Sequence, residues 1–305
     1  RTDSGFNADA IDHTTAADLA EVGSDKWTRY PGCIGAFIAE MDYGLAPCIQ
    51  EAIDNACDHC KLGYIPDPWK QRVAEACAGW QRTHYGWNVD PSIIRVVPDV
   101  LEAYEVFLRE LVGAGNSVIV PTPAYMPFLS VPKLYDVNVI EIEMLQSGDT
   151  ETGEAQWLFD FDAIERAFAA GCHAFVLCNP HNPIGKVLTL EEELRLSDLA
   201  AQYDVRIFND EIHAPFVFEG KHIPFPTISE QAALQSMTAT SASKSFNIPG
   251  TKCAQVLLTN PKDRDMWAVK AEWSEHQTAT IGAIATTAAY NEGDLWFQDA
   301  FAYVR

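Results

Sequence analysis

From about position 94 the chain alternates short, β-branched apolar runs with stretches whose apolar residues recur at helical spacing. Ile93–Val97 reads as a strand, and Asp99–Val112 as a helix with Val100, Leu101, Tyr104, Phe107, Leu108 and Leu111 on one face. Ser117–Val120, Val137–Ile142 and His173–Cys178 are further strand candidates. Thr189 opens a helix, with Glu192 three residues on completing a capping box, and its apolar positions run through Leu194, Leu199 and Tyr203. Val205–Phe208, Met237–Ser241 and Ala254–Thr259 complete the strands. Alternation of this kind requires crossover helices over a mostly parallel sheet, so the expected class is α/β. No internal repeat or low-complexity linker interrupts the pattern.

Ligands of such sheets gather beyond the carboxyl ends of the strands, so the residues just after each strand carry the chemical expectation. After His173–Cys178 comes Asn179-Pro180-His181-Asn182-Pro183-Ile184-Gly185. Val205–Phe208 leads into Asn209-Asp210-Glu211-Ile212-His213, and Met237–Thr240 into Ser241-Ala242-Ser243-Lys244-Ser245-Phe246-Asn247. The strand ending at Val97 runs into Pro98-Asp99-Val100-Leu101 at a helix start. A lysine, a buried-type acid, an amide and a helix N-terminus thus share one edge. A desolvated lysine forms Schiff bases, an aspartate keeps a pyridine nitrogen protonated, and free helix amides with Ser hydroxyls hold phosphate. Singly these features are ordinary: Asn-Pro makes a turn, and an Asp after a strand is commonly a helix cap.

Composition narrows the picture. The 305 residues suffice for one large domain and part of a second. Asp and Glu total 43 against 21 Lys and Arg, a net charge of −22 that argues against a nucleic-acid partner. Eight cysteines show no disulfide spacing, and the one close pair, Cys57-Asp58-His59-Cys60, lacks a second pair for zinc. It reads as one turn of a helix between surface and core, in a reduced, cytoplasmic setting, with no metal expected. No run approaches the ~20 apolar residues of a membrane span, so no membrane partner is expected. A Gly-rich dinucleotide fingerprint is absent, which disfavours a nicotinamide enzyme. Trp69, Trp80 and Trp87 with Tyr85 are assigned to core packing, and Glu191–Glu193 to the helix dipole. Because the first residue is Arg1, the start is expected to be a boundary rather than the natural beginning.

The motifs Asn182-Pro183-x-Gly185, Asp210-Glu211-Ile212-His213 and Ser241-x-Ser243-Lys244-Ser245-Phe246-Asn247-Ile248-Pro249-Gly250 resemble, in order, those of class I/II aminotransferases, the pyridoxal-5′-phosphate (PLP) enzymes of fold type I. Ala39-Glu40-Met41-Asp42-Tyr43, Gly63-Tyr64 and Thr122-Pro123-Ala124-Tyr125 extend the resemblance toward the cystathionine β-lyase, or C–S lyase, branch, from about Phe6 to Tyr303. The resemblance implies an aspartate-aminotransferase-like fold and a PLP-dependent β-lyase acting on cystathionine-like amino acids. It makes Lys244 the Schiff-base lysine and proton shuttle, and Asp210 the partner of the pyridinium nitrogen. Asn182 would donate to the phenolic oxygen and Tyr125 would stack on the ring. Ser241, Ser243 and the amides of Val100 and Leu101 would hold the phosphate, with Lys252 where relatives carry a phosphate-binding Arg. His213 belongs to the same cluster. Tyr64 would reach the phosphate of a neighbouring subunit, making the working unit a homodimer.

Departures accompany the match. Ile184 stands where the family usually has Thr, and Asp99 where a small residue often begins the phosphate-binding helix; Asp99 is read as an N-cap with Glu102 completing a box. The domain expectation is residues 1–45 contributing to a small domain, 46–285 forming the large PLP domain, and 286–305 starting an interdomain helix. Relatives continue for nearly a hundred residues that carry the substrate-carboxylate arginine, and no residue here takes that role. An aminotransferase, or a PLP-binding regulatory protein without turnover, are the alternative expectations.

Overall fold

The computed structural model describes residues 4–148 and 155–305; residues 1–3 of the expected N-terminal segment lie outside them. The strands are β1 (Ile94–Val97), β2 (Ser117–Thr122), β3 (Asn138–Glu143), β4 (Leu145–Ser147), β5 (Gln156–Leu158), β6 (Ala174–Cys178), β7 (Arg206–Asp210), β8 (Ser236–Thr240) and β9 (Ala254–Leu257). Seven of them form one sheet in the order β1-β9-β8-β7-β6-β2-β3, while β4 and β5 pair separately. β9 runs antiparallel to both β1 and β8, and every other pairing in the large sheet is parallel. The carboxyl ends of β1, β2, β6, β7 and β8 therefore share one edge. At that edge Asp210 of β7 is in register with Cys178 of β6 and Ala239 of β8.

β6, β8 and β9 are buried along their whole length; β6 accordingly reads as a continuous apolar run, while β8 and β9 also bury Ser236, Thr238, Thr240 and Gln255. Helices cover both faces. Helix α1 (Pro47–Asp58) and helix α2 (Asp67–Tyr85) lie with α5 (Thr280–Glu292) on one side, where the small residues Ala285 and Ala289 of α5 are fully buried. Helix α3 (Val100–Phe107) packs Tyr104 and Phe107 against Phe208 in the central core, and α4 (Leu190–Gln202) buries Leu196 and Ala200 beside Phe175 and Ile207. Helix α6 (Asp294–Val304) closes the chain, and Phe6 folds the N-terminal segment back onto it through Trp296 (centroids 5.9 Å apart) and Tyr303 (5.7 Å). No helix among the described residues is long and apolar enough to cross a membrane.

The strand expectations hold to within a residue or two. The helix read over Asp99–Val112 is α-helical only to Phe107; Leu108–Val112 form a π turn that ends at Gly113. The Thr189 capping box is present in full. Cys57 and Cys60 do not share a helical turn: α1 ends at Asp58, Cys60 is left-handed at φ 54°, and both thiols are exposed. Residues 286–292 complete α5 rather than open a new helix. The break falls at Gly293, where a Cβ would stand 2.5 Å from the Phe246 ring.

Gly282 on α5 has a stricter role. A Cβ there would stand 2.0 Å from the Thr251 carbonyl oxygen and 3.0 Å from the Cys253 Cβ. Gly282→Ala is expected to cost about 1–3 kcal/mol of unfolding free energy, whereas Gly250→Ala, with open space around it, should stay within about 0.5 kcal/mol; denaturant titration of both variants checks this.

Candidate functional site

β7 delivers Asp210 at its last position, buried with 4% of its surface exposed. Its Oδ1 accepts the Ile212 amide at 3.0 Å, the local turn a short acidic side chain makes with the backbone two residues on. Among the described residues no cation forms an ion pair with it. Burial pushes its pKa up to about 7; the Ile212 bond and the charge of Lys244 oppose that shift, and Glu211 adds to it.

One strand over, the chain leaving β8 turns through Ser241–Phe246. Phe246 is fully buried among Trp80 (5.7 Å between centroids), Phe297 (5.9 Å) and Trp296 (6.2 Å). That aromatic anchor fixes the turn from below and leaves Lys244, two residues earlier, half-buried in the cleft. Lys244 Nζ donates to the Ala39 carbonyl at 3.2 Å. Burial lowers its pKa, against the pull of the Glu40 and Asp210 carboxylates. His213 faces the same nitrogen: burial first, then the positive charge of Lys244, take its pKa down to about 4, so its ring is neutral at pH 7.

Loops from β2 and β6 close the opposite wall. Tyr125 packs edge-on to Phe128 (5.6 Å) and keeps 37% of its surface exposed toward the cleft. Burial raises its pKa, and the Asp210 and Asp99 carboxylates raise it further, placing the ring in their field. His181, buried, sets a ring nitrogen 2.8 Å from the Pro123 carbonyl oxygen and so ties the two loops together. Asn179 donates to Glu193 at 2.7 Å and accepts the Leu188 amide at 3.0 Å, pinning both ends of the turn that carries Asn182. Asn182 itself is half-buried, and its side chain makes no hydrogen bond among the described residues.

The anion-binding end is α3. Asp99 caps it by accepting the Glu102 amide at 2.9 Å, but the return bond from the Glu102 side chain is not formed, so the expected box is half made. The Val100 and Leu101 amides are then left without intrahelical partners, as at any helix start. Lys252 donates to the second oxygen of Asp99 at 2.8 Å. Ser243 has a hydroxyl free among the described residues, whereas the Ser241 hydroxyl already donates to Cys253 O at 2.9 Å and accepts the Ser243 amide at 3.0 Å. Ser241 thus shapes the turn first. Tyr64 is 93% exposed, on the loop after α1, and is not brought to this cleft within one chain.

Sequence reasoning passed over three residues. Glu193, assigned to the helix dipole, is fully buried, and burial, with Glu211 adding, lifts its pKa to about 8. His181 sat between two Asn-Pro pairs without a role, and Asn247 appeared only as part of a motif. For His181 and Asn247 the signal was a polar residue inside a turn, and for Glu193 a first-turn helix glutamate, which spacing alone does not separate from ordinary turn and helix chemistry.

PLP fits these residues. A buried carboxylate without a cation suits a ring nitrogen that carries a proton, free helix amides beside Ser243 and Lys252 suit a phosphate, and the half-buried Lys244 suits an aldehyde carbon. Among the described residues no group of His, Cys, Asp and Glu side chains is placed to hold a metal.

Comparison with known proteins agrees. Residues 38–297 match the family described as aminotransferase class I and II. A cystathionine β-lyase of Corynebacterium glutamicum is 34% identical over 281 residues, 92% of this chain and 73% of that protein. The cystathionine β-lyase PatB of Bacillus subtilis is 29% identical over 293 residues, covering 92% and 73%. The crystal structure of cystalysin from Treponema denticola, which contains PLP, superposes with a TM-score of 0.85 at 26% identity, over 95% of this chain and 74% of that one.

Two outcomes follow. Asp99→Asn keeps a good cap while removing a negative charge beside the phosphate and freeing Lys252, so PLP should dissociate less, by about 3–10-fold, in a fluorescence titration. In the cofactor-free protein the raised pKa of Asp210 gives stability that is fully present below its unfolded value, 3.8, and is lost as pH rises through about 7. Asp210→Asn has no such loss. Its melting temperature relative to the unsubstituted protein should therefore climb from pH 4 to pH 7 and then level off.

Proposed function

The chain belongs to the class I and II aminotransferase family, and from that premise we propose that it is a PLP-dependent C–S β-lyase, cleaving L-cystathionine or a related cysteine S-conjugate to a thiol, pyruvate and ammonia. The observation that carries the chemistry is the placement of Lys244 and Asp210 at the ends of adjoining strands, one amine and one buried carboxylate facing the same cleft. The cystathionine β-lyases among its relatives support the lyase branch over the aminotransferases.

PLP supplies an electrophilic carbon for the substrate amine and a conjugated ring that takes up the electron pair released at Cα. The work of the chain is positioning and proton transfer. Lys244 holds the cofactor at rest. As a free amine Lys244 would be favoured in its neutral form by burial, the form able to remove the substrate Cα proton. The resulting ammonium returns that proton to the departing thiolate, so Lys244 ends the cycle as it began. Water completes the hydrolysis to pyruvate and ammonia. Asp210, ionised once it faces a protonated ring nitrogen, keeps that proton in place. Tyr125 would cover the ring and Asn182 would donate to its phenolic oxygen. His213, neutral beside Lys244, adds no competing positive charge. The Val100 and Leu101 amides, Ser243 and Lys252 would hold the phosphate, with Ser241 setting the turn. Tyr64, exposed in a single chain, completes the phosphate site of a neighbouring subunit in a cytoplasmic homodimer.

A second reading, an aminotransferase, is favoured by the family match itself, since the same lysine and acid serve both reactions. Purified protein given PLP and L-cystathionine, with no keto acid, should release pyruvate over many turnovers. Lys244→Ala should lower that rate by about 10²–10⁴-fold or more. Amine transfer that appears only when a keto acid is added, without steady pyruvate, would establish the aminotransferase instead.

A further inference from the structure

The segment Ala39–Asp42 lies across the cleft without helix or strand of its own, and Ala39 and Glu40 are the part of it that meets Lys244. Its hold on the rest of the protein comes from two clasps. Asn247, three residues after Lys244, accepts the Met41 amide on Oδ1 at 2.9 Å and donates from Nδ2 to the Met41 carbonyl at 2.7 Å. One side-chain amide thus grips both the N–H and the C=O of a single residue 206 positions away in sequence. On the far side Lys26 Nζ donates to the Glu40 carbonyl at 2.8 Å and to Asp42 at 2.7 Å, while the Trp27 indole donates to Asp42 at 2.9 Å.

Asn247 reaches Met41 from a left-handed backbone, φ 55°, a conformation that glycine adopts freely and asparagine tolerates better than most residues. A residue chosen only for that turn would have no reason to match a donor and an acceptor on a distant strap. The Glu40 side chain forms no hydrogen bond or ion pair among the described residues, so its carboxylate is left free to act on the neighbouring amine.

We propose that Asn247 is a positioning residue for Lys244: by gripping Met41 it keeps Ala39–Asp42 closed over the lysine, so that the Ala39 carbonyl and the Glu40 carboxylate set the charge on its nitrogen. This rests on the reading of Lys244 as the cofactor lysine. The charged and titratable groups facing that nitrogen are Glu40 on the strap, Asp210 at the end of β7 and His213 in the loop after it, with Tyr125 near Asp210. Of these only Glu40 depends on the clasp. Releasing the strap removes negative partners and favours the neutral nitrogen, so proton loss shifts to lower pH.

The test is the pH midpoint of the visible absorption of the PLP-loaded protein, compared with Asn247→Ala, Asn247→Gly and Lys26→Met. The Gly variant loses the clasp without backbone strain, so it separates the two roles even if the Ala variant folds poorly. Both Asn247 variants should move the midpoint down by about 0.5–1 pH unit, and Lys26→Met in the same direction by less. A midpoint in the Gly variant within about 0.2 of the unsubstituted protein, with or without a lower melting temperature, overturns the proposal and leaves Asn247 a turn residue. An unsubstituted protein with no Lys244-dependent band overturns the cofactor reading and the clasp together; an unshifted midpoint with the band intact overturns the clasp alone.

Discussion

A carboxylate enclosed by protein and left without a cation is costly, and the cleft is organised around one such group. Asp210 closes β7 with β6 on one side and β8 on the other, and the only hydrogen bond its carboxylate makes among the described residues comes from the Ile212 amide. Burial pushes its pKa up to about 7, because enclosure by protein disfavours the charged form. A partner carrying a proton on a ring nitrogen would relieve that cost, and under the proposed function Lys244 on the adjoining strand end would tether the same partner. The mixed sheet is what makes this geometry available: only parallel neighbours bring the carboxyl ends of β6, β7 and β8 to one edge.

Behind the cleft lies a second layer of buried polar groups whose work is to hold loops still. Glu211, next to Asp210 in sequence but turned into the core, accepts Asn209 Nδ2 at 2.7 Å and the Phe225 amide at 2.9 Å, and Asn209 also donates to Thr238 at 3.1 Å. His222 brings a ring nitrogen to 3.2 Å from the other Glu211 oxygen, both side chains almost fully enclosed. Glu193 and Asn179 do the same for the turn that carries Asn182. Two adjacent acids thus have separate duties: Asp210 faces the cleft, and Glu211 faces inward and ties the strands beneath it. The network is not fully satisfied: Glu211 Oε2, both His222 ring nitrogens, Asn209 Oδ1 and Glu193 Oε2 are buried without a hydrogen-bond partner among the described residues.

Much of this was legible in the sequence because the strands are short, buried and separated by well-capped helices, and the chemistry sits at their ends. Ile93–Val97, His173–Cys178 and Val205–Phe208 were placed to within two residues for that reason. The π turn at Leu108–Val112 was hidden, since it continues the apolar spacing of the helix before it. The inward turn of Glu193 was hidden too, because a first-turn glutamate looks the same from sequence whether it faces solvent or Asn179. Ser241 and Lys252 were named for the phosphate, yet each already has a local partner, Cys253 O for one and Asp99 for the other. Hydrogen bonds between residues far apart, above all the Asn247–Met41 pair, leave no trace in periodicity or composition.

The proposed chemistry stands or falls on which nitrogen holds the cofactor, and that is read directly by loading the protein with PLP, reducing it with borohydride and mapping the labelled peptides by mass spectrometry. The pyridoxyl group is expected on the peptide containing Lys244 and on no other. Label on Lys252, which lies at the same end of the cleft beside Asp99, or no stable label at all, would contradict the assignment on which the whole site is built.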